Sequence, residues 1–338
     1  MPDYDSRARA LVRARDFAGL SALLDAAAEA GAMTPQLEIW AANLARERGQ
    51  LDAAAAGYAR GLAAQPDNFA GWFNLGLTRE AQADLGAAAE AFARSLARPS
   101  GHRDSLFRLG ACLDGLGREQ AARELYAEAV ARGLLIHAMQ RPRHCCPGLR
   151  AQPLWSSDAI PGLERLRAPD ILAELRRLVT NARANEHRGQ WRSPVLAEGR
   201  WDKLFFAYRG QLNPKLDGLC PETMAALAQV PLAADLPEGN VCLSILAPGT
   251  EIRPHCGPTN VRLRAHLGLD IPPDCGLRVA GHDQTWRAGE WLVFDDSFEH
   301  AAWNRSERPR VILIVDLWHP ELRTPAARRA ALRGLPRR

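Results

Sequence analysis

The phrase His255-Cys-Gly-Pro-Thr-Asn260 runs directly into Val261-Arg-Leu-Arg-Ala-His-Leu-Gly-Leu269, and the second part alternates strictly. A β-strand turns successive side chains to opposite faces, so Val261, Leu263, Ala265, Leu267 and Leu269 share one face. Arg262, Arg264 and His266 share the other. The first face suits a core. The second is decoration if it meets solvent and an anion site if it lines the inside of a barrel.

Reading outward, Phe294-Asp-Asp-Ser-Phe-Glu-His300 places a second histidine 45 positions after His255, and Arg310 follows it by ten. Imidazole is the commonest protein ligand for mid-row transition metals. Two imidazoles from neighbouring strands with a cation nearby predict a metal that holds an anionic co-substrate. Strand-type runs are expected over 204–208, 240–246, 261–269, 291–294 and 311–317, with Gly, Pro, Asn and Asp between them. That spacing predicts a sandwich or closed barrel. The run after Arg310 is apolar enough to be buried on both sides. A guanidinium entering it needs a partner, and a carboxylate bound through two oxygens would satisfy it.

The first 134 residues are alanine-rich and helical in period. They repeat at a spacing of 34: Gly49, Ala83 and Gly117; Ala54, Ala88 and Ala122; Tyr58, Phe92 and Tyr126; Leu62, Leu96 and Val130. Leu75-Gly76 aligns with Leu109-Gly110, and Ala41-Ala42 takes that place in the first unit. Small residues where helices cross, aromatics four positions after the alanine and this period resemble tetratricopeptide repeats. Three units over 37–134 share a continuous core, with 6–30 as a degenerate cap. Pro66 and Pro99-Ser-Gly mark breaks between units.

Residues 135–155 include Arg141-Pro-Arg-His-Cys-Cys-Pro-Gly and read as a linker. A helical stripe of Ile171, Leu172, Leu175, Leu178 and Val179 follows. The expected organisation is therefore a multidomain α + β chain: repeats over 1–134, a linker over 135–155 and a β domain over 156–338. At 47% hydrophobic and 24% charged, the composition excludes a disordered chain. No apolar run reaches the ~18 residues a membrane span needs. Seven cysteines without framework spacing argue for a reducing compartment, so the expected location is cytoplasmic. Cys145-Cys146 lacks a second pair for structural zinc. The net charge is only +4, and the arginines of the tail (Arg323, Arg328, Arg329, Arg333, Arg337, Arg338) lack interleaved aromatics, so no nucleic-acid partner is expected.

From Trp201 to Pro320 the chain resembles the aspartyl/asparaginyl β-hydroxylase family of iron(II)- and 2-oxoglutarate-dependent dioxygenases. The phrases that carry the resemblance are 255–269, 294–300 and Val315-Asp-Leu-Trp-His-Pro-Glu321. It covers about 156–322 and implies a double-stranded β-helix, the cupin-like jelly roll. It also implies Fe(II), 2-oxoglutarate as co-substrate, O2, and succinate and CO2 as coproducts. Family members with helical repeats ahead of this domain occur. The resemblance makes His255 and His300 the metal ligands, with Arg310 and Ser244 on the distal carboxylate of 2-oxoglutarate. Arg264 and His266 would hold the chelating end, with Trp201 near the co-substrate. Where the wider oxygenase class has a third, carboxylate ligand, this chain has Gly257. The family shares that gap, which implies a water in that position, with Asp295 or Asp296 as its support. A glycine there also occurs in halogenases, but the flanking phrases match hydroxylases. The animal enzyme of the family has a disulfide before the first metal histidine, whereas here that region offers Cys220 alone, with Cys242 on a strand.

The expected activity is hydroxylation of a C–H bond in a protein or peptide, engaged by the repeat groove. Lipid acyl-chain hydroxylation is the alternative enzyme reading, and a repeat adaptor with a degenerate barrel the non-enzymatic one. Trp201, Phe205, Phe206 and Tyr208 are also core candidates. His319 is expected as a structural hydrogen-bonder and His282 as exposed. His102, His137, His144 and His187 have no partner pattern.

Overall fold

The computed structural model describes residues 3–98, 101–208, 211–216, 218–233, 236 and 239–334. Pro99, Ser100, Arg337 and Arg338 lie outside these. Two compact units divide the chain, Met1–Ala138 and Met139–Arg338.

The first unit consists of antiparallel helix pairs. They are α1 (Tyr4–Ala14) with α2 (Phe17–Glu29), α3 (Pro35–Glu47) with α4 (Leu51–Ala64), α5 (Phe69–Ala81) with α6 (Leu85–Leu96), and α7 (Arg103–Gly115) with α8 (Glu119–Ala131). Side-chain oxygens of Asp16, Thr34, Asn68 and Asp84 cap α2, α3, α5 and α6 by accepting from the backbone N–H three residues on. The small-residue and aromatic columns of the repeat are one device. A Cβ added at Gly76 would lie 2.5 Å from the Phe92 ring, and one at Gly110 would lie 1.8 Å from the Tyr126 hydroxyl. Each ring therefore occupies the space that the glycine vacates. The expected cap over 6–30 is a regular pair, with Leu20, Leu23, Leu24 and Ala27 packed on Leu37 and Leu44.

Gly49, Ala83 and Gly117 end α3, α5 and α7 in the left-handed region, at φ of 74°, 60° and 68°. Glycine adopts that conformation freely, but a Cβ there costs about 1 kcal/mol. Ala83→Gly is therefore expected to stabilise the helical unit by roughly 0.5–1 kcal/mol, read from the denaturant midpoint.

The second unit is a two-sheet β sandwich flanked by helices. Its strands are β1 (Leu154–Trp155), β2 (Gly189–Gln190), β3 (Leu196–Glu198), β4 (Trp201–Tyr208), β5 (Gln211–Leu212), β6 (Asn240–Leu246) and β7 (Thr250–His255). They continue as β8 (Arg262–Asp270), β9 (Cys275–Val279), β10 (His282–Gln284), β11 (Trp291–Phe294), β12 (His300–Asn304) and β13 (Arg310–Trp318). The larger sheet has the order β1-β11-β8-β13-β6-β4-β2, with β5 on β4; the smaller is β10-β9-β12-β7-β3. This is the jelly-roll arrangement, with the β8 alternation resolved by burial. Leu263, Ala265, Leu267 and Leu269 join the outer core beneath α9 (Pro169–Thr180) and α11 (Pro221–Leu227). Arg262, Arg264 and His266 point into the lumen between the sheets. Every residue of β13 is buried, as its double-sided apolar pattern predicts.

Two expectations need correction. The stripe near 168–185 is α9 followed by the short α10 (Ala182–Asn185), because Asn181 is extended at ψ 123°. The predicted linker is no free connection beyond Met139. Gln140 bridges to Phe298, His144 bridges to Thr259, β1 pairs with β11, and Arg141 forms an ion pair with Glu299. Proline and glycine break the helical period there, but the backbone bonds of the segment are made on the sheets. The last α-helix of the described residues, α12 (Pro325–Ala331), sets Arg328 over Trp318, 5.2 Å from the ring centroid.

Candidate active site

Antiparallel register places His255 at the end of β7 opposite His300 at the start of β12. Their ring centroids are 4.2 Å apart. Each Nδ1 donates to the carbonyl two residues back, Arg253 at 2.8 Å and Phe298 at 2.9 Å. With the proton held on Nδ1, both Nε2 atoms keep a lone pair for a metal. Burial lowers both, and the adjacent ring lowers His300 further, to about 3. Two neutral imidazoles side by side are the protonation state that metal ligation requires. Among the described residues, no cluster of three His, Cys, Asp or Glu side chains forms around them.

The reason lies at Gly257. A Cβ built there would stand 2.6 Å from the Asp296 carboxylate carbon and 2.8 Å from the Asp296 carbonyl. Asp296 fills the space that a carboxylate side chain at position 257 would need. It cannot swing away, because Arg262 binds it at 2.9 Å and Arg264 at 3.2 Å. Burial opposes its charge, but the two guanidiniums outweigh that and hold its carboxyl far below the usual range. Asp316 on β13 completes the network at 3.0 Å from Arg262 and 2.8 Å from Arg264. These two arginines and two aspartates are mutually compensating.

A row of rings leads from the histidines to Arg310. Phe294 meets His300 at 5.3 Å and His266 at 5.0 Å, and Trp286 lies 6.0 Å from His266. The Arg310 guanidinium stacks on Trp286 at 4.6 Å. Trp286 Nε1 donates to His266 Nδ1 at 3.2 Å, so His266 carries its proton on Nε2, and that N–H has no partner among the described residues. Arg310 is 2% exposed, yet among the described residues its Nε and Nη1 also lack acceptors. Burial pushes its pKa down to about 10, and no carboxylate among the described residues pairs with it. Three buried donor nitrogens on two strands of the same sheet thus have no acceptor among the described residues. On the adjoining strand, Ser244 accepts from Trp201 Nε1 at 2.9 Å, which leaves its own O–H to donate. Ser244 opposes Ile312 and Leu246 opposes Arg310, so serine and arginine are diagonal neighbours on the lumen face.

Residues 166–320 match the family described as aspartyl/asparaginyl beta-hydroxylase. Over these residues the β unit is similar to that family. Human aspartyl/asparaginyl beta-hydroxylase is 36% identical over 203 residues, 59% of this chain and 27% of that protein. Human aspartate beta-hydroxylase domain-containing protein 2 is 39% identical over 195 residues, covering 55% and 52%. Mouse aspartate beta-hydroxylase domain-containing protein 1 is 44% identical over 135 residues, covering 38% and 37%. The chain therefore spans between 27% and 52% of the length of these relatives.

All seven predicted site residues of the β unit, His255, His300, Ser244, Arg264, His266, Arg310 and Trp201, line the one lumen. Arg264 reaches it already engaged, through the fork with Asp316. Of the two candidate aspartates, Asp296 faces the lumen. Asp295 is bound instead by the Gln140 amide at 3.1 Å and the Ser297 N–H at 2.9 Å. Sequence reasoning missed Trp286, Phe294, Asp316 and Lys203. Only Asp316 carries a signal, as a lone charge inside an apolar strand. His319 is a structural hydrogen-bonder, accepting from the Glu321 N–H at 3.2 Å. His282 is exposed. The seven cysteines are all free thiols. No helix of the described residues is long and apolar enough to cross a membrane.

Burial pushes Asp295 up to about 7 despite its hydrogen bonds to Ser297 and Gln140. The folded chain then keeps a proton that the unfolded chain releases near the ordinary carboxylate value of 3.8. Stability is fully present below that value and declines as pH rises towards 7, by on the order of 2–4 kcal/mol in all. Asp295→Asn is expected to remove most of this slope, seen as a melting temperature that no longer falls between about pH 4 and 7.

Proposed function

We propose that the β-hydroxylase unit is an iron(II)- and 2-oxoglutarate-dependent hydroxylase acting on a C–H bond of a protein or peptide. The observation that carries this reading is Arg310: a buried guanidinium without a carboxylate, in the same lumen as two neutral imidazoles. An isolated buried charge is strongly disfavoured, and a bidentate carboxylate is its best complement.

His255 and His300 would hold iron(II) through Nε2. Arg310 and the Ser244 hydroxyl would take the distal carboxylate of 2-oxoglutarate, with Trp201 fixing the serine. His266 Nε2–H would take the other end, beside Arg264, whose guanidinium is shared with Asp296 and Asp316. Bound together with dioxygen, this group supplies the oxidising power for C–H hydroxylation, with succinate and CO2 as coproducts. The remaining contribution of the chain is positional. Phe294 and Trp286 keep water from the lumen, and Asp296, locked by Arg262 and Arg264, is a fixed acceptor for a water near the metal. The repeat unit gives the chain a helical surface of the kind that binds extended peptides.

The test is aerobic incubation with iron(II), 2-oxoglutarate and a proteome-derived peptide mixture. Succinate should accumulate, and selected peptides should gain one oxygen only when 2-oxoglutarate is present. Absence of both, together with no calorimetric binding of 2-oxoglutarate to the metal-loaded chain, overturns the reading.

A further inference from the structure

The lumen contains a cation that the scheme above does not use. Lys203 on β4 opposes Ser244 on β6, on the same face as Trp201 and Phe205. It is only 8% exposed. Its ammonium lies 4.4 Å from the Trp191 ring, 4.2 Å from Trp201 and 5.7 Å from Phe205. Among the described residues it meets no carboxylate and no hydrogen-bond acceptor. The carboxylates nearest in the fold, Asp296 and Asp316, are both bound by Arg262 and Arg264. Burial lowers its pKa to about 8, so the folded chain bears its charge at a cost. Its strand partner Ser244 and its face neighbour Trp201 are both among the site residues of the lumen.

The charges of the lumen sum simply. Arg262 and Arg264 cancel Asp296 and Asp316, while the imidazoles are neutral. Iron(II) and the 2-oxoglutarate dianion would cancel each other, because no carboxylate side chain ligates the metal. Arg310 and Lys203 then leave the loaded lumen positive, and only Lys203 has no assigned partner.

We propose that Lys203 is a specificity-determining residue that receives a carboxylate of the hydroxylated substrate, so that an acidic side chain is selected over its amide. This rests on the proposed function. The three rings exclude water around the ammonium and stabilise its charge, which strengthens its attraction for a carboxylate arriving from solvent. An amide offers no charge to complement it and leaves the lumen positive. If Lys203 served packing alone, removing its charge would leave substrate choice unchanged.

The full chain, loaded with zinc(II) and 2-oxoglutarate so that no turnover occurs, is titrated with capped alanine pentapeptides. Their central residue is Asp, Asn or phosphoserine, and binding is read by calorimetry. The Asp peptide should bind about ten-fold tighter than the Asn peptide. Lys203→Gln should abolish that ratio and Lys203→Arg should retain it. Lys203→Gln should also melt about 2–4 °C higher, as expected when an unpaired buried charge is removed. Equal binding of Asp and Asn peptides by the wild type, or a ratio that survives Lys203→Gln, overturns the proposal. Tighter binding of phosphoserine than Asp overturns the choice of carboxylate. Co-substrate affinity measured on the same samples separates the two readings. If 2-oxoglutarate fails to bind, both fall. If it binds while Asp and Asn are not distinguished, only the role of Lys203 falls.

Discussion

Replacing Arg310 with methionine is expected to raise the 2-oxoglutarate concentration for half-saturation by about 100-fold or more, since truncating one member of a buried charge pair costs about 2–5 kcal/mol. The same change should not harm the fold. The guanidinium is buried with two nitrogens that have no partner among the described residues, so its removal relieves a desolvation penalty. Methionine keeps contact with the Trp286 ring. The expected signature is therefore a melting temperature that holds or rises while co-substrate affinity collapses. Arg310→Lys should recover only part of the affinity, because a single ammonium does not reproduce the planar two-point fork. Calorimetric titration of the metal-loaded chain measures both. Unchanged affinity in the methionine variant would show that the buried cation serves another ligand.

Restoring a carboxylate at position 257 is expected to damage the site rather than complete it. Gly257→Asp brings a Cβ to within 2.6 Å of an Asp296 side chain held by two arginines, and to 2.8 Å of rigid backbone. Overpacking of this kind costs roughly 1–3 kcal/mol. The added charge would further compete with Asp296 for Arg262 and Arg264. Cobalt(II) affinity should drop by at least about ten-fold, and the melting temperature should fall with it. Gly257→Ala isolates the cause: it should show most of the thermal loss without the added charge. An aspartate variant that binds cobalt(II) more tightly than the wild type would mean that Asp296 yields, and that the glycine is a choice of chemistry rather than of space.

The repeat half was legible because its signals are local. A helix places residues three and four apart on one face, and the 34-residue recurrence of Gly76 with Phe92, and of Gly110 with Tyr126, encodes the crossing of each pair. Five strands of the larger sheet, β4, β6, β8, β11 and β13, were legible for a similar reason, since their core face is apolar, whereas the two-residue β1, β2 and β5 were not. The smaller sheet was not read as strands. Thr250–His255 contains Pro254, Cys275–Val279 contains Gly276, and His300–Asn304 opens with two alanines after the histidine. Each is weak in β propensity alone and is held by pairing with its neighbours.

From its sequence alone, this protein declared a helical-repeat half, a β half, and a strand whose charged face had to be either wet or functional. Period and alternation are properties of neighbouring residues, so a linear reading recovers them. Only the tertiary structure decided which charges cancel. Arg262 and Arg264 meet Asp296 and Asp316 across strands far apart in the chain, while Arg310 and Lys203 meet no carboxylate among the described residues. Pairing of buried charge depends on register and on the closure of two sheets, and no single stretch of sequence contains that information.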